Sequence, residues 1–529
     1  MASKIIFYLL FVLDLLLAAF LGWSMFQTHL IPNVAVMLAA AMLVLIPLLL
    51  FFLQREKKNR KQSGSRSAAI EKSKKKTGFR IAAIVILLFL GIVEGAVGYY
   101  LSQYSSKMDK VTEVRTQYTR VEIYVKEDDR AQTIEYAVES EYVFGVIAGV
   151  DEDAIAQTRA SVEAKVGRTM IVQGYATLAD LIRALDEGQV NALMMSSAYL
   201  DLIEELEGYE GYAESLRVLH SSNVQTETEV LLTEIFPQTL DENDETAQTM
   251  RDPELWKDCF CAYISGIDTY GPVTARSRSD VNILAVVNTK TKTVLLISTP
   301  RDYYVPFNFA PANGAMDKLT HAGIYGIEGS MRALSDFYGL PIHYYLRVNF
   351  SGFIDVIDIL GGVDVESDAD FGSGGFTFHK GTNHLSGLAA LRFVRNRYAF
   401  GEGDRARGRH QMAVIKGIIG SLRSSKILTN YAELMDEMAD CFQTNASKAM
   451  VGELVQLTMD PGKSDWTVLT YSVDGNGRTD YAYSSGAYAY CMIPNMNTVD
   501  YAKSLAAAVL AGEPLTQEGL QNNAPNPRE

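Results

Sequence analysis

Three apolar stretches at the N-terminus constrain the fold of this chain more than any other feature. They cover about residues 5–26, 34–53 and 81–100. Each is close to the roughly 20 residues that an α-helix needs to cross the hydrocarbon core of a bilayer. We therefore predict a membrane anchor of three transmembrane helices over residues 1–101. Asp14 and Glu94 interrupt the first and third stretches. Such carboxylates either have a function in the membrane or lie where the spans pair with each other.

The charges between the second and third stretches predict the orientation. The loop 54–80 carries eleven lysines and arginines against two glutamates, which is typical of the cytoplasmic side. With three crossings, the N-terminus is then cytoplasmic and the chain after residue 101 is extracytoplasmic. The same loop could also bind anionic membrane lipid. A cleaved signal peptide is the competing interpretation of the first stretch, but Lys4 alone gives it only a weak basic start.

The remainder of the chain is acidic and long enough for more than one domain. The formal net charge is −15, and residues 1–80 sum to +9, so residues 81–529 carry −24. A length of 529 residues predicts about three domain-sized segments. The four cysteines are few for a disulfide scaffold, and the sequence leaves both a disulfide and buried free thiols open; they are Cys259, Cys261, Cys441 and Cys491.

Residues 102–252 alternate between short apolar strands and helical segments. Apolar runs at residues 142–148, 170–174 and 192–195 are each followed by a helical pattern, and Asp151 is placed to cap the first of these helices. This alternation predicts a small parallel α/β accessory domain, preceded by a stalk or first strand and followed by an acidic linker. The domain carries no catalytic motif.

Residues 256–515 predict a second, larger α/β domain with a mixed sheet, and residues 516–529 a disordered tail. Its first strands lie at residues 260–265, 281–287 and 293–298. If the first two are antiparallel, the end of one and the start of the next meet at one sheet edge. Asp268 and Asp280 would then lie together at that edge, a usual position for a site on an α/β scaffold.

A dense arginine stretch follows in this larger domain. Six arginines occur within the 18 residues 392–409. In extended chain Arg395 and Arg397 point to the same side. Asp404 can cap a helix whose first turns present Arg407 and Gln411 near the positive end of the helix dipole, where anions bind favourably. The stretch is therefore either an anion site or a solvated basic patch.

The basic groups and carboxylates of this domain allow two kinds of chemistry. The basic side chains that can converge at strand ends are Arg278, Arg301, Lys318, Arg395, Arg397 and Arg407. Asp268 and Asp280 could form ion pairs with them, or hold Mg²⁺ together with phosphate oxygens. No P-loop, zinc-ligand spacing or Gly-x-Ser-x-Gly motif occurs. These residues alone do not separate a phosphotransferase from a protein that binds an anionic polymer.

A set of motifs in the same region resembles the LytR-CpsA-Psr family. In chain order they are Gly266-Ile-Asp268, Arg278-Ser-Asp280, Pro300-Arg301-Asp302, Lys318-Leu-Thr-His-Ala322, Asp358-Ile-Leu-Gly-Gly-Val363, His384-Leu-Ser-Gly-Leu-Ala-Ala-Leu391, Arg395-x-Arg397 and Gly403-Asp404-x-x-Arg407. They extend from about Cys259 to Arg423. The N-terminal anchor and the middle domain resemble those of some members of the family.

The resemblance implies an extracytoplasmic, membrane-anchored transferase. Such enzymes move a teichoic acid or capsular polysaccharide from a polyprenyl-pyrophosphate carrier to peptidoglycan and make a phosphodiester. Carried over by position, Asp268 and Asp280 hold Mg²⁺ (or Mn²⁺), and Asp280 or a nearby water helps to deprotonate the acceptor hydroxyl. The implied pyrophosphate-binding residues are Arg278, Arg301, Arg395, Arg397, Arg407 and Gln411, with Lys318 a weaker candidate. Asp280, Arg278 and Arg301 form the implied catalytic set.

One position departs from the family pattern. Many members have an arginine three residues after the position of Arg407, where this chain has His410 beside Arg409. A neutral histidine would bind an anion more weakly. The resemblance otherwise leaves two rivals to transfer, a hydrolase of the lipid pyrophosphate and a non-catalytic attenuator or binding protein of the cell envelope. We expect no nucleic-acid partner in any of these cases.

Overall fold

The computed structural model describes most of the chain. The described residues are 2–28, 33–54, 66–112, 116–227, 235–237, 253–256, 258–267, 273–396, 404–421, 441–459 and 466–525. Two of the predicted site residues, Asp268 and Arg397, lie outside these ranges, as do most of the predicted acidic linker and the last four residues of the predicted tail.

Three long helices form the N-terminal part. They are α1 (Ala2–Thr28), α2 (Asn33–Gln54) and α3 (Arg66–Val111). Segments Lys4–Gln27, Val36–Leu53 and Thr77–Gln103 are long and apolar enough to cross a membrane, which confirms the three predicted spans. Asp14 and Glu94 are both buried inside this helix packing. Helix α3 continues to Val111, so the first part of the predicted stalk is helical.

The accessory domain contains a five-stranded sheet. Its strands are β1 (Thr116–Lys126), β2 (Val143–Ile147), β3 (Ile171–Tyr175), β4 (Ala192–Ser196) and β5 (Leu216–Glu227). Its helices are α4 (Ile134–Glu139), α5 (Glu152–Val166), α6 (Leu178–Asp186) and α7 (Leu200–Ile203). The strand order is β3-β2-β4-β1-β5.

This sheet is mixed, so the prediction of a parallel sheet was wrong. Strand β2 is parallel to β3 and β4, but β1 is antiparallel to both β4 and β5. The long strands β1 and β5 pair along their whole length, and the apolar pattern of the middle strands gave no sign of this pairing. Asp151 occupies the N-cap position of α5, as predicted, but its backbone is left-handed (φ 50°) and its side chain makes no capping hydrogen bond.

The larger domain is built around strands β6 to β19. They are β6 (Cys259–Ile267), β7 (Ser279–Asn288), β8 (Thr293–Ser298), β9 (Tyr304–Phe307), β10 (Ala315–Lys318), β11 (Tyr344–Asn349), β12 (Val363–Ser367), β13 (Phe371–Ser373), β14 (Phe376–Phe378), β15 (Gly381–Leu385), β16 (Phe442–Thr444), β17 (Thr467–Ser472), β18 (Gly475–Ala482) and β19 (Ala487–Pro494). Its central sheet has the order β16-β11-β6-β7-β8-β17.

The helices after the accessory domain follow in chain order. They are α8 (Pro253–Trp256), α9 (Ile327–Tyr338), α10 (Phe350–Ile359), α11 (Gly387–Arg395), α12 (Asp404–Ser421), α13 (Lys448–Met459), α14 (Met496–Ala511) and α15 (Gln517–Asn522). Helix α13 belongs to the compact unit of the anchor helices, whereas the accessory and central sheets lie together in a second compact unit.

Helices cover both faces of the central sheet because its strands alternate core residues between the faces. Leu284, Val286 and Ile297 face a core that includes α9 and α14, and Ile283 and Leu296 face a second core that includes Met412 of α12. Strands β6 and β7 are antiparallel, which is the condition under which the sequence places Asp280 at a sheet edge, while β6 and β11 are parallel. The larger domain is therefore the predicted mixed-sheet α/β fold.

Two further expectations are resolved by the structure. All four cysteines are buried free thiols. Residues 517–522 form helix α15 rather than a disordered tail, because Leu520 is buried against the core and the Gln517 side chain bonds the backbone of Thr470.

Candidate functional site

The start of β7 positions Asp280 at the edge of the central sheet. Its neighbour Ser279 pairs with Ile267, the residue before Asp268 in sequence. The buried Ser279 hydroxyl lies 2.7 Å from both Tyr263 Oη and Ser265 Oγ. These buried hydroxyls fix the backbone that carries Asp280.

Two arginines contact Asp280, one at its carboxylate and one at its backbone carbonyl. Arg301 Nη1 donates to Asp280 Oδ1 at 2.8 Å, and Thr320 Oγ1 donates to the same oxygen at 3.4 Å. Arg407 Nη2 lies 3.4 Å from the backbone carbonyl of Asp280. The Asp280 and Arg301 side chains are only 13% and 17% exposed, and Arg407 is buried. An arginine next to a carboxylate in such a setting makes a strong, charge-assisted hydrogen bond.

The charge state of Asp280 follows from these neighbours. Burial alone would raise the pKa of Asp280, because it disfavours the charged form. The guanidinium groups of Arg301, Arg407 and Arg278 outweigh burial and hold the pKa of Asp280 below its usual value. Asp280 is therefore ionised next to Arg301 and Arg407, whose guanidinium groups have further N–H donors that can contact a second anion.

Arg301 and Thr320 come together through a close backbone contact. Arg301 follows β8 after Pro300, and its carbonyl accepts a hydrogen bond from the Thr320 backbone N–H at 2.8 Å. Residues Leu319–Tyr325 form a 3₁₀ helix that lies against the chain before β7. At Gly323 a Cβ would lie only 2.5 Å from the Ser277 carbonyl oxygen, so only glycine fits there.

Helix α12 delivers Arg407 and Gln411. Arg407 lies in the first turn of this helix, and Gln411 follows one turn later on the same face. The next residue after Arg407 is Gly408, where a Cβ would overlap the Ser298 hydroxyl at the end of β8. This close approach brings the helix start to the strand that leads to Arg301. The sequence predicted a helix capped by Asp404, and the structure has the helix in this place with Asp404 as its first residue.

A second charged group adjoins the first and is centred on Glu205 of the accessory domain. Arg278 Nη1 donates to Glu205 Oε1 at 3.0 Å, and Arg278 Nη2 lies 3.2 Å from Asp201 Oδ2. Lys318 Nζ forms an ion pair with Glu205 Oε2, and His321 Nε2 lies 3.3 Å from the same oxygen. The structure therefore brings Arg278 and Lys318 to a carboxylate of the neighbouring domain.

A buried aspartate completes this second group. His321 Nδ1 lies 2.7 Å from Asp317 Oδ1, and the Ser484 backbone N–H donates to Asp317 Oδ2 at 2.7 Å. Neither His321 nor Asp317 is exposed to solvent. Burial alone would lower the pKa of His321, but the carboxylates of Asp317 and Glu205 outweigh burial and raise it. His321 is thus favoured as a cation between two anions.

Arg395 and His410 lie in different environments from those the sequence suggested. Arg395 is the last residue of helix α11 rather than part of an extended segment, and its guanidinium stacks 4.6 Å from the centre of the Phe350 ring. His410 is buried, with its ring centre 4.4 Å from that of Phe393 and 5.1 Å from that of Phe371. Because it is part of an aromatic core, His410 is not an anion-binding residue.

Sequence reasoning missed five residues of these two groups, which are Asp201, Glu205, Asp317, Thr320 and His321. His321 belongs to the motif Lys318-Leu-Thr-His-Ala322, and the buried Asp317 lies directly before that motif. A buried histidine flanked by an acid four residues earlier could have indicated this pair. Glu205 carries no such signal, because it lies in another domain, 73 residues before Arg278.

The comparison with protein families decides the assignment. Residues 234–500 match the model of the LytR_cpsA_psr family, which is just over half of the chain. The chain belongs to this family. Most of the family region is the larger α/β domain, including Asp280 and the basic residues of both charged groups, while the anchor helices and the accessory domain with Asp201 and Glu205 precede it.

Several relatives of known name share this region. The polyisoprenyl-teichoic acid--peptidoglycan teichoic acid transferase TagU of Bacillus anthracis is 34% identical over 174 residues, which are 33% of this chain and 56% of that protein. The Enterococcus faecalis protein of the same name is 34% identical over 194 residues, or 36% of this chain and 63% of that protein. The chain thus spans little more than half the length of the relatives that it matches.

Solved structures match the same portion. The crystal structure of B. subtilis TagU is 25% identical and covers 49% of this chain and 100% of that one, with a TM-score of 0.38. The structure of TagT bound to LI-WTA is 27% identical and covers 52% of this chain and 99% of that one, with a TM-score of 0.39.

The residues at the sheet edge fit a divalent cation. Within the described ranges, both hydrogen bonds to the Asp280 carboxylate arrive at Oδ1, which leaves Oδ2 to coordinate a cation. Mg²⁺ in phosphate sites uses one or two carboxylates together with phosphate oxygens. Among the described residues no three His, Cys, Asp or Glu side chains form a metal cage, so most ligands would come from substrate, water and Asp268.

Proposed function

We propose that this LytR_cpsA_psr family protein is a membrane-anchored phosphotransferase that acts outside the cytoplasm. It moves an anionic glycopolymer, a teichoic acid or capsular polysaccharide, from a polyprenyl-pyrophosphate carrier to peptidoglycan. The observation that carries the proposal is the anionic Asp280 held beside Arg301, Arg407 and Arg278 at the sheet edge. The names of the relatives, which transfer teichoic acid to peptidoglycan, support the same reaction.

The arginines bind the donor pyrophosphate in this proposal. Arg301 and Arg407 present planar donors that match phosphate oxygens, and both are held by contacts to Asp280. Arg278 adds a third guanidinium, and Gln411 offers an amide from the face of α12 that carries Arg407. Arg395 and Arg397 are further candidates from the arginine stretch. Because Arg301 and Arg407 are preorganised by these contacts, they stabilise negative charge that develops during phosphoryl transfer.

The reaction exchanges one phosphorus–oxygen bond for another. A hydroxyl oxygen of peptidoglycan attacks the phosphorus that carries the glycopolymer, and the bond from that phosphorus to the bridging oxygen breaks. Polyprenyl phosphate leaves with the bridging oxygen, and the hydroxyl proton passes to water. Asp280 is poorly suited to accept that proton because its pKa is lowered. Its role in this proposal is electrostatic, so water replaces Asp280 as the proton acceptor.

A divalent cation is part of the proposal. Asp280 and Asp268 would hold Mg²⁺ (or Mn²⁺), which supplies positive charge to the phosphate oxygens when it is bound. The buried Arg301 orients the Asp280 carboxylate through Oδ1 and leaves Oδ2 for the cation.

The membrane arrangement supports this chemistry. The three apolar helices would hold the site near a lipid-linked donor, and the basic loop 54–80 keeps the N-terminus cytoplasmic and the site outside.

Product analysis tests the proposed function. The full chain in detergent is incubated with a polyprenyl-pyrophosphate-linked glycopolymer, Mg²⁺ and peptidoglycan oligomers, and the products are identified by mass spectrometry. We expect a phosphodiester between glycopolymer and peptidoglycan, and polyprenyl phosphate as the second product. The Asp280→Asn variant should lose both products, whereas Asp370→Asn, an exposed carboxylate near the β13–β14 hairpin, should retain them.

The same assay separates the two rivals. A lipid pyrophosphate hydrolase would release polyprenyl phosphate equally well without peptidoglycan and would form no phosphodiester. A non-catalytic envelope attenuator would release no polyprenyl phosphate under any of these conditions. Either result would refute transfer as the function.

A further inference from the structure

The accessory domain supplies a carboxylate to the charged groups of the larger domain. Glu205 lies just after α7, and its two oxygens contact different cations: Oε1 accepts from Arg278 at 3.0 Å, and Oε2 pairs with Lys318. The Glu205 and Arg278 side chains are each 18% exposed, and Lys318 is 6% exposed. Exposed ion pairs contribute little, but a largely buried set of this kind fixes the geometry of its members.

An apolar interface holds Glu205 at this position. Ile324 of the larger domain is buried in the hydrophobic core of the accessory domain, together with Tyr199 and Leu206. Leu206 is the residue after Glu205, so the backbone of Glu205 is anchored in that core. Separating the domains would expose these apolar side chains to water, which is unfavourable.

Polar contacts hold the same interface at other points. The Ala179 backbone N–H donates to the Ser485 carbonyl at 3.1 Å. Arg276 Nη1 lies 2.6 Å from Asp151 Oδ1, and both side chains are mostly buried. Asp151 is the residue that the sequence had assigned to a helix cap. Because the interface is held at several points, Glu205 keeps a fixed position beside Arg278 and Lys318.

The carboxylate also completes a chain of alternating charges. Asp317, His321 and Glu205 follow one another within ion-pair distance, and Glu205 then contacts Arg278 and Lys318. Arg278 in turn contributes to the field that keeps Asp280 ionised. A change at Glu205 would therefore reach Asp280 through the orientation of a single guanidinium.

We propose that Glu205 is a positioning residue of the transferase site, supplied by the accessory domain, which orients Arg278 and Lys318 for the donor pyrophosphate. This inference rests on the proposed function. It assigns a role to the accessory domain, which the sequence left without one. Glu205 itself does not touch the phosphate in this scheme, since it acts through the two cations.

An inhibitory role for Glu205 predicts the opposite change in donor affinity when Glu205 is removed. If Glu205 merely occupied the place of a phosphate, its removal would free Arg278 and Lys318 and tighten donor binding. If it positions them, its removal lets both cations reorient and weakens binding. The sign of the change in affinity therefore decides between positioning and inhibition.

The test compares Glu205→Gln and Glu205→Asp with Glu204→Gln in the full chain. Glu204 is the matched control. Its carboxylate accepts hydrogen bonds from the backbone N–H groups of Gly211 and Ala213, and its described contacts do not include Arg278 or Lys318. The readouts are kcat and KM for the lipid-linked donor, and the Kd of inorganic pyrophosphate with Mg²⁺ by calorimetry. Pyrophosphate binding requires no turnover, so it reports on Glu205 even if transfer itself fails.

We expect Glu205→Gln to lower kcat/KM by about 10- to 100-fold and to raise the Kd of pyrophosphate, since small misplacements of binding groups cost rates of this size. Glu205→Asp should recover part of the loss, and Glu204→Gln should behave as the wild type. Unchanged or tighter pyrophosphate binding by Glu205→Gln would overturn the proposal.

Glu205→Asp, which keeps the charge, covers the case in which Glu205→Gln is poorly folded, and a double-mutant cycle tests the coupling directly. If Glu205 acts through Arg278, adding Glu205→Gln to Arg278→Ala should cause less additional loss of pyrophosphate affinity than Glu205→Gln causes alone. Fully additive losses with both Arg278→Ala and Lys318→Ala would overturn the proposal, because Glu205 would then act independently of the two cations that it contacts.

Discussion

Arg301 Nη1 lies 2.8 Å from Asp280 Oδ1, and each side chain is less than one-fifth exposed. The two residues come from neighbouring antiparallel strands, Asp280 from the start of β7 and Arg301 from the turn after β8. Their contact ties the cation-binding carboxylate of the proposed site to one of its phosphate-binding guanidinium groups. Neither residue can be replaced without changing the other.

Replacing Arg301 by Gln should therefore affect turnover strongly. The variant loses a preorganised positive charge, and we expect kcat/KM for the lipid-linked donor to fall by at least about 100-fold. Arg301→Lys keeps the charge but not the planar fork, so it should recover only part of the activity. The measurement is steady-state transfer with the lipid-linked donor. Wild-type kinetics for Arg301→Gln would remove Arg301 from the site.

Removal of divalent cations should abolish transfer. Asp280 keeps one oxygen for a cation, and the arginines alone leave the pyrophosphate charge incompletely compensated. We expect EDTA to stop turnover and either Mg²⁺ or Mn²⁺ to restore it. A second readout is calorimetric binding of inorganic pyrophosphate, which should be tighter with Mg²⁺ in the wild type and unaffected by Mg²⁺ in Asp280→Asn. Full turnover in EDTA would contradict the cation assignment.

Gly408 should be required for the close approach of α12 to β8. A methyl group at this position overlaps the Ser298 hydroxyl, so Gly408→Ala should lower the free energy of unfolding by about 1–3 kcal/mol. The added methyl group should also displace the start of α12 and so weaken pyrophosphate binding, because Arg407 is the adjacent residue. The measurements are denaturant unfolding and calorimetry.

Gly420 in the same helix is the matched control for this prediction. A Cβ at Gly420 meets no atom within 4 Å, so Gly420→Ala should stabilise the protein by up to about 1 kcal/mol through helix propensity. Equal effects of the two substitutions would mean that the contact with Ser298 does not restrict position 408.

The His321 charge should make stability depend on pH. Because the pKa of His321 is raised in the folded protein, its stabilising effect is complete below the unfolded pKa of about 6.5. The effect is then lost as the pH rises through the folded pKa. The groups that face His321 are Asp317, Glu205 and the neighbouring Lys318.

The comparison of Tm between pH 6 and pH 9 tests this linkage. Between these values, the wild type should lose more Tm than His321→Gln, which cannot titrate at this position. The difference between the two slopes isolates His321 from the other histidines. Parallel slopes would show that His321 is not charged in the folded protein.

The sequence predicted the elements whose bounds are set by neighbouring residues. It did not predict contacts between segments that are far apart in the chain. Strand β8 has the predicted bounds, because an apolar run between a turn and a proline defines both of its ends. The edge position of Asp280 followed from the antiparallel pairing of two such strands. Glu205 could not be predicted, because its role depends on how one domain packs on another. The expectation of an extended backbone at Arg395 was wrong, because helix α11 continues to this residue.

The packing of His410 was also not predictable from the sequence, and it gives a last prediction. Its departure from the family pattern suggested a weakened anion site, but its ring lies between Phe371 and Phe393 in a buried aromatic core. Burial lowers the pKa of His410 to about 4, with a smaller contribution from Arg409, so the ring is neutral at physiological pH. A neutral aromatic ring in this place is a packing residue.

We therefore expect His410→Phe to retain transfer and to change the free energy of unfolding by less than about 1.5 kcal/mol, as volume-conserving core substitutions do. His410→Arg, which restores the arginine common in the family, should instead be strongly destabilising, since it forces a guanidinium charge among phenylalanine rings. Denaturant unfolding and transfer assays of both variants provide the measurement. Higher activity in a stably folded His410→Arg protein would show that position 410 belongs to the anion site. It would also show that helix α12 can turn the side chain at this position out of the core.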